Sequence, residues 1–284
     1  MNTQTIQNKH AHVAYAADTL RITGLTLPGK TNLLVDLSDL APIPTPYGDF
    51  HFRGGHRLWH APEAMPRTYI PDAEPTVTEL PDGVFLEAPV EPGTGIRKQI
   101  RIQIASHKPS LTLTHVLSNE GLWSVELAPW AITQLRLGGT VILPMPVGNA
   151  DAAGLLHNRQ FSVWPYTHVD DPRVTWGDDF VLFRADALLP PFKIGYFNRD
   201  GWMAYWLDGV LFRKTFAIRL GLPHPDNNCN AEIYCNDKFV ELETLAPLIH
   251  LAPGESIDHI ETWDLFDGMK SLPEEIQAAL SHTG

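Results

Sequence analysis

The stretch FKIGYFNRDGWMAYWLDGVLFRKTF, residues 192–216, decides the fold class. Three short apolar runs are separated by Asp200-Gly201 and Asp208-Gly209. Asp-Gly is the favoured pair of a tight hairpin, because both central residues of a type I′ turn need positive φ. The stretch therefore predicts three consecutive strands in a meander. Lys193 stands inside the first run, where a buried ammonium requires a carboxylate partner or a ligand oxygen.

The same pattern extends outward. In KQIRIQIAS, Ile100, Ile102 and Ile104 alternate with Gln99, Arg101 and Gln103, the signature of a strand dry on one face. SLTLTHVLSN repeats it, with His115 in the apolar register of Leu111 and Leu113, and a third Asp-Gly pair stands at Asp82-Gly83. Helix signals are scarce. The clearest is SLPEEIQAAL, with Ser271 as N-cap, Pro273 in the first turn and Glu274 closing a capping box. The expectation is one all-β domain over residues 1–284, its sheets paired into a sandwich. Residues 1–14 are expected to be a frayed tail, and residues 271–282 a short C-terminal helix.

Composition narrows the function classes. The chain has 284 residues, 44% hydrophobic and 19% charged, which is globular. A net charge of −12 without a basic run repels a phosphate backbone, so no nucleic-acid partner is expected. No apolar run reaches about 18 residues, so no membrane span is expected. The N-terminus lacks an apolar signal core, which points to the cytoplasm. Cys229 and Cys235 are too few for a stapled scaffold and are expected as free buried thiols. No HExxH motif occurs and His10-x-His12 lies in the expected tail, so no metal site is expected.

Three clusters carry candidate chemistry. FHFRGGHRLWHAPE, residues 50–63, crowds Arg53, His56, Arg57, Trp59 and Glu63 onto one segment. Arginine forks bind oxygens and an indole face packs against sugar C–H groups, although Arg57 pairing with Glu63 and Trp59 in the core is the alternative. FVELETLAPLIHLAPGES, residues 239–256, places Glu241 and Glu243 on one strand face inside an apolar run. A carboxylate in such a setting works as a general base; the alternative is an edge strand with both glutamates in solvent. WPYTHVDDPRVTWG, residues 164–177, contributes Tyr166, Asp171 and Arg173, with a local Asp171–Arg173 ion pair as the alternative, and VELAPWAITQL sets Glu126 and Trp130 beside Pro129.

These motifs resemble the galactose mutarotase-like proteins, nearest the hexose-phosphate mutarotase branch. FRGGHRLWHAPE resembles their Arg-Gly-Gly segment at the sugar site. FVELETLAPLIHLAPGES resembles their late strand, whose glutamate is the catalytic base, followed by a Pro-Gly-Glu turn. The resemblance runs in order over residues 15–268. It implies a β-supersandwich holding a sugar across a concave face, and cofactor-free anomer interconversion of the aldose 1-epimerase type. Glu243 takes the base position and Arg53 and Arg57 line the site.

The family's histidine has no counterpart in VELAPWAITQL, so His56 is the expected acid, with His115 and Lys193 as alternatives. The remaining expected ligand contacts are Trp59, Glu63, His115, Glu126, Trp130, Tyr166, Asp171, Arg173 and Lys193. Two other readings stay open: a sugar-binding protein without turnover, and a lyase or hydrolase gripping acidic or modified sugars through Lys193, Arg57 and Arg173. His56 facing Glu243 across a sugar ring favours the isomerase; Glu243 buried against Lys193 favours the others.

Overall fold

The alternation that dominates the sequence has a geometric consequence, because a strand with one dry face needs a second sheet to cover it. A computed structural model describes residues 2–188 and 190–269 and shows that arrangement. One sheet of eleven strands contains, in spatial order, Thr3–Gln7, His12–Ala16, Arg21–Thr26, Arg53–Ala61, Val125–Leu135, Val240–Leu245, Ala231–Cys235, Phe192–Tyr196 and Phe161–Val163. We call it the front sheet. The back sheet has ten strands and is centred on Trp202–Leu207, Val210–Phe216, Ser256–Asp267, Ser110–Asn119 and Ile96–Ile104. All the pairings are antiparallel.

Between the sheets lies a single apolar cluster. Ile22, Leu58, Leu135, Ile194, Ile233 and Leu242 of the front sheet face Ile100, Leu113, Leu117, Phe212 and Trp263 of the back sheet, all at most 2% exposed. Each such side chain removed from water stabilises the fold by about 1.5–3 kcal/mol before entropy is counted. The fold is therefore all-β, as the alternation predicts. The expected helix at 271–282 lies outside the described residues.

Two local expectations are overturned. Residues 192–216 are not a meander: Phe192–Tyr196 joins the front sheet, whereas Trp202–Leu207 and Val210–Phe216 form a hairpin in the back sheet. The turn chemistry shows why. At Asp208-Gly209 both residues have positive φ, 51° and 78°, as a type I′ hairpin requires, but at Asp200-Gly201 only Gly201 does. That second connection carries the chain from one sheet to the other. Within the expected tail of residues 1–14, Thr3–Gln7 is not frayed either, since it pairs along its length with His12–Ala16.

Candidate functional site

Side-chain alternation in the front sheet separates two polar centres that are adjacent in sequence. In Arg53–Ala61, Leu58 enters the core and His56 also faces the back sheet, while Arg57 and Trp59 face outward. In Val240–Leu245, Leu242 and Thr244 face inward and Glu241 and Glu243 outward. The strand is central and all six of its residues are buried, which removes the edge-strand alternative.

The outward face carries a cleft of about 560 Å³. Its walls are aromatic: Trp59, Tyr69, Trp130, Trp164, Tyr166 and Tyr234. Its polar groups include Arg57, Glu63, Lys193 and Glu241. Strand register sets their spacing. Gln134 pairs with Glu241, Glu241 with Tyr234, and Tyr234 with Lys193. Glu241 and Lys193 are thus two strand spacings apart, roughly 10 Å at the backbone, with Tyr234 between them.

Lys193 meets the requirement that its apolar setting raised. Its Nζ lies 2.9 Å from both Glu243 Oε2 and Glu232 Oε2, and sits 5.0 Å and 4.7 Å from the ring centres of Trp130 and Trp164. Trp130 Nε1 donates to the same Glu243 oxygen at 2.8 Å. Glu243 is 0% exposed, and its Oε1 has no hydrogen-bond partner among the described residues. Burial alone would lower the Lys193 ammonium, but Glu243 and Glu232 raise it well above its ordinary value, so it stays charged. Burial, with the charge of Glu243, raises Glu232 well above the carboxylate range, so Glu232 keeps its proton. The floor can hold Glu232 only because position 195 is glycine: a Cβ there would lie 2.8 Å from Cys229 Sγ and 2.9 Å from Glu232 Cγ.

Glu241 has different surroundings. Gln134 Nε2 donates to it at 2.9 Å and Arg57 Nη2 at 3.3 Å, and it lines the cleft. Burial and then the neighbouring Glu243 push its carboxyl up to about 7, so it exchanges a proton near neutrality. Arg57 stacks over Trp59 at 4.2 Å, and its Nε and Nη1 have no hydrogen-bond partner among the described residues. Tyr69 donates its hydroxyl proton to Glu63.

Behind the same strands, between the sheets, lies the second polar centre. His56 Nε2 is 2.7 Å from His115 Nε2, His56 Nδ1 is 2.9 Å from Thr133 Oγ1, and His115 Nδ1 is 2.9 Å from the His259 carbonyl. The partners assign the protons: His115 donates to the carbonyl, His56 donates to His115, and Thr133 donates to His56. Lys214 and Glu261, both 0% exposed, pair at 2.9 Å, and Trp263 Nε1 donates to Glu261 at 2.8 Å. Burial lowers all three histidines, His259 to about 3. The ligand atoms of His56, His115 and Glu261 lie within 4.8 Å of one another, the one metal-like grouping among the described residues. His56 and His115 already bond each other, and Glu261 is bonded by Thr244 and by Lys214, whose ammonium competes with a cation for it.

The expected site residues therefore divide. Arg57, Trp59, Glu63, Trp130, Tyr166 and Lys193 meet in the cleft. His56 and His115 belong to the inner network, so neither faces Glu243 across a ligand: one residue step on a strand reverses the face. Glu243 has the expected strand position but lies beneath Trp130 and Lys193 and does not line the cleft. By the criterion set above, that burial favours sugar binding without turnover, or a lyase or hydrolase, over an isomerase built on Glu243 and His56.

Arg53 has φ +57° and binds Asp72 at 3.3 Å, outside the cleft; Glu126 pairs with His250 at 2.9 Å, also outside it. Asp171 and Arg173 are engaged with each other through two hydrogen bonds of 3.0 and 2.8 Å, the local ion pair that was the alternative. Arg57 pairs with Glu241 rather than Glu63. Cys229 and Cys235 are free and buried, and burial raises each thiol to about 12, which leaves them unreactive.

Sequence reading missed Glu232, Tyr69, Trp164 and Tyr234. In AEIYC, Glu232 alternates with apolar Ala231 and Ile233, the same signal that exposed Lys193. The crowding of FHFRGG also has a scaffold component. Arg21, 1% exposed, bonds Asp72 and the carbonyls of Phe52 and His51. Gly54 and Gly55 have φ of 80° and 72°, and a Cβ at either would lie about 2 Å from a backbone carbonyl oxygen, Val35 or Ile22.

The chain matches no protein-family model and no curated protein sequence. Solved structures do match. A candidate aldose 1-epimerase from Escherichia coli K12 superposes with a TM-score of 0.57 at 13% identity, over 93% of this chain and 99% of that one. A candidate aldose 1-epimerase from Klebsiella pneumoniae gives 0.62 at 9% identity, over 98% and 82%. A galactose mutarotase-like protein from Lactobacillus casei gives 0.57 at 8%, over 93% and 100%. Identities this low speak to architecture alone, and on that ground the chain has the galactose mutarotase-like β-sandwich fold.

Proposed function

We propose that the cleft binds a sugar and interconverts its anomers, an isomerase of the aldose 1-epimerase type in which Glu241 replaces Glu243 as the proton-transfer group. One observation carries the reading: a cleft-lining carboxyl held at about 7 stands in register with a charged lysine, inside aromatic walls suited to sugar rings. Ionised Glu241 takes the proton of the anomeric hydroxyl as the C1–O1 double bond forms and the C1–O5 bond breaks. The Lys193 ammonium gives a proton to O5 and takes one from Glu232, which holds its proton 2.9 Å away, so the floor keeps its cation. After rotation about C1–C2, both protons return and the ring closes on the other face. No cofactor enters this cycle. The fold of aldose 1-epimerase-like structures supports the same class.

Polarimetry on a panel of free aldoses tests this. Wild-type protein should accelerate mutarotation, with a rate that rises as pH passes about 7, where Glu241 loses its proton. Glu241→Gln should slow it by about 100-fold or more while sugar still raises the melting temperature. An unchanged rate in Glu241→Gln refutes the assignment.

The burial of Glu243 beneath Lys193 favours a second reading, sugar binding without turnover. A sugar-induced thermal shift with no acceleration by wild-type protein would establish it. The lyase or hydrolase reading loses support, since Arg173 lies outside the cleft and Arg57 and Lys193 already hold protein carboxylates.

A further inference from the structure

The cleft does not end at Lys193. A second lobe of about 350 Å³ adjoins the first and shares five of its lining residues: Glu63, Tyr69, Trp130, Trp164 and Lys193. These five form a waist. The Tyr69 hydroxyl bonds Glu63, and the Lys193 ammonium lies 5.0 and 4.7 Å from the ring centres of Trp130 and Trp164. Beyond the waist the outer lobe is bounded by Pro62, Ala64, Met65 and Asp226. Met65 is 59% exposed, so this lobe opens to solvent; the inner lobe, which carries Glu241 and Tyr234, is also open, at Tyr166.

Each lobe falls in the size range of small-ligand pockets, about 300–1,000 Å³. Of the shared indoles Trp130 is 3% exposed, and the half-buried Trp164 is the one that offers a ligand ring an apolar surface at the waist. Asp226 adds a fixed polar group. It begins three consecutive residues of positive φ, and its carbonyl accepts from Ser162 Oγ at 2.8 Å and Cys229 Sγ at 2.9 Å, which pins the turn.

We propose that the natural ligand is a reducing oligosaccharide of at least two units, lying through the waist with its reducing-end ring in the inner lobe. The inference rests on the carbohydrate reading above and extends it to substrate class. The orientation follows from the chemistry: ring opening requires a free anomeric hydroxyl beside Glu241, so the remainder of the chain leaves from the non-reducing side, toward Met65 and solvent.

Calorimetric titration of the full chain tests this with glucose, maltose, cellobiose, galactose and galactobiose. In at least one series the reducing disaccharide should bind about tenfold tighter than its own monosaccharide. Ala64→Trp, at an exposed position bounding the outer lobe, should bring that ratio close to one, with an unchanged melting temperature verifying the fold. Monosaccharide and disaccharide affinities within roughly threefold in every series would overturn the proposal, as would a ratio insensitive to Ala64→Trp. These outcomes separate it from the broader reading. If no saccharide binds, the carbohydrate assignment falls and takes this inference with it; monosaccharide binding without a disaccharide gain removes the oligosaccharide alone.

Discussion

Lys193→Met is the perturbation that weighs the cleft floor most directly. Methionine keeps a flexible apolar stem against Trp130 and Trp164 but removes the ammonium lying 2.9 Å from both Glu243 and Glu232. The side chains are 7%, 0% and 0% exposed, so solvent screens little of the interaction. Removing one partner of such a buried pair costs roughly 3–5 kcal/mol, and loss of the two cation–π contacts adds about 1 kcal/mol. Against a total stability of about 5–15 kcal/mol the effect is large.

Its pH dependence is diagnostic. In the wild type the folded-state pKa of Lys193 is raised, so its contribution is fully present below the ordinary lysine value and is lost only above it. That contribution is constant from about pH 5 to about pH 8. A buried carboxylate left without its counter-charge either stays charged at a cost or takes a proton that the unfolded chain releases, so the variant loses stability as pH rises above the ordinary carboxylate range. Urea unfolding should therefore show a loss of roughly 4–6 kcal/mol at about pH 8 and less than half of that at about pH 5. Lys193→Met/Glu243→Leu, which removes both charges, should recover most of it. A variant within about 1 kcal/mol of wild type at about pH 8, or destabilised equally at both values, would refute the picture of a buried ammonium neutralising this floor.

Two further outcomes separate the inner network from the cleft. His56→Ala opens a void beside Trp263 and strips a partner from His115, so it should cost about 3 kcal/mol in urea unfolding while leaving any ligand-induced thermal shift intact; loss of that shift at unchanged stability would return His56 to the site. The inner histidines also set an acid limb. Their folded pKa values are depressed, so their contribution is present above the ordinary histidine value and lost as pH falls through the folded one; His259, near 3 in the fold, accounts for roughly 3 kcal/mol by about pH 4. A stability that is flat from about pH 7 to about pH 4, or a limb unchanged in His259→Leu, would contradict it.

The candidate site was partly legible one strand at a time. Glu241 and Glu243 share a face because they lie two apart, and Lys193 needs an acid because it interrupts an apolar run. Glu243 was one candidate for that acid, but the choice and the second acid, Glu232, were not legible, since Glu232, Lys193 and Glu243 come from three strands whose adjacency is not written in any one of them. His56 shows the opposite failure. It stands next to Arg57 in a polar segment, yet a one-residue step sends its ring into the core to meet His115, 59 positions away.

By itself, then, the sequence determined the all-β class, the inward and outward faces of individual strands, and the hairpin at Asp208-Gly209, because alternation and turn chemistry act over a few residues. Tertiary structure alone decided that Phe192–Tyr196 leaves its neighbours for the front sheet, and that Glu243 is covered by Lys193 and Trp130 while Glu241 reaches the cleft. Both glutamates have the same local pattern. Their separate fates follow from which strands pair on either side, and that pairing is settled by the burial of two whole sheets against each other.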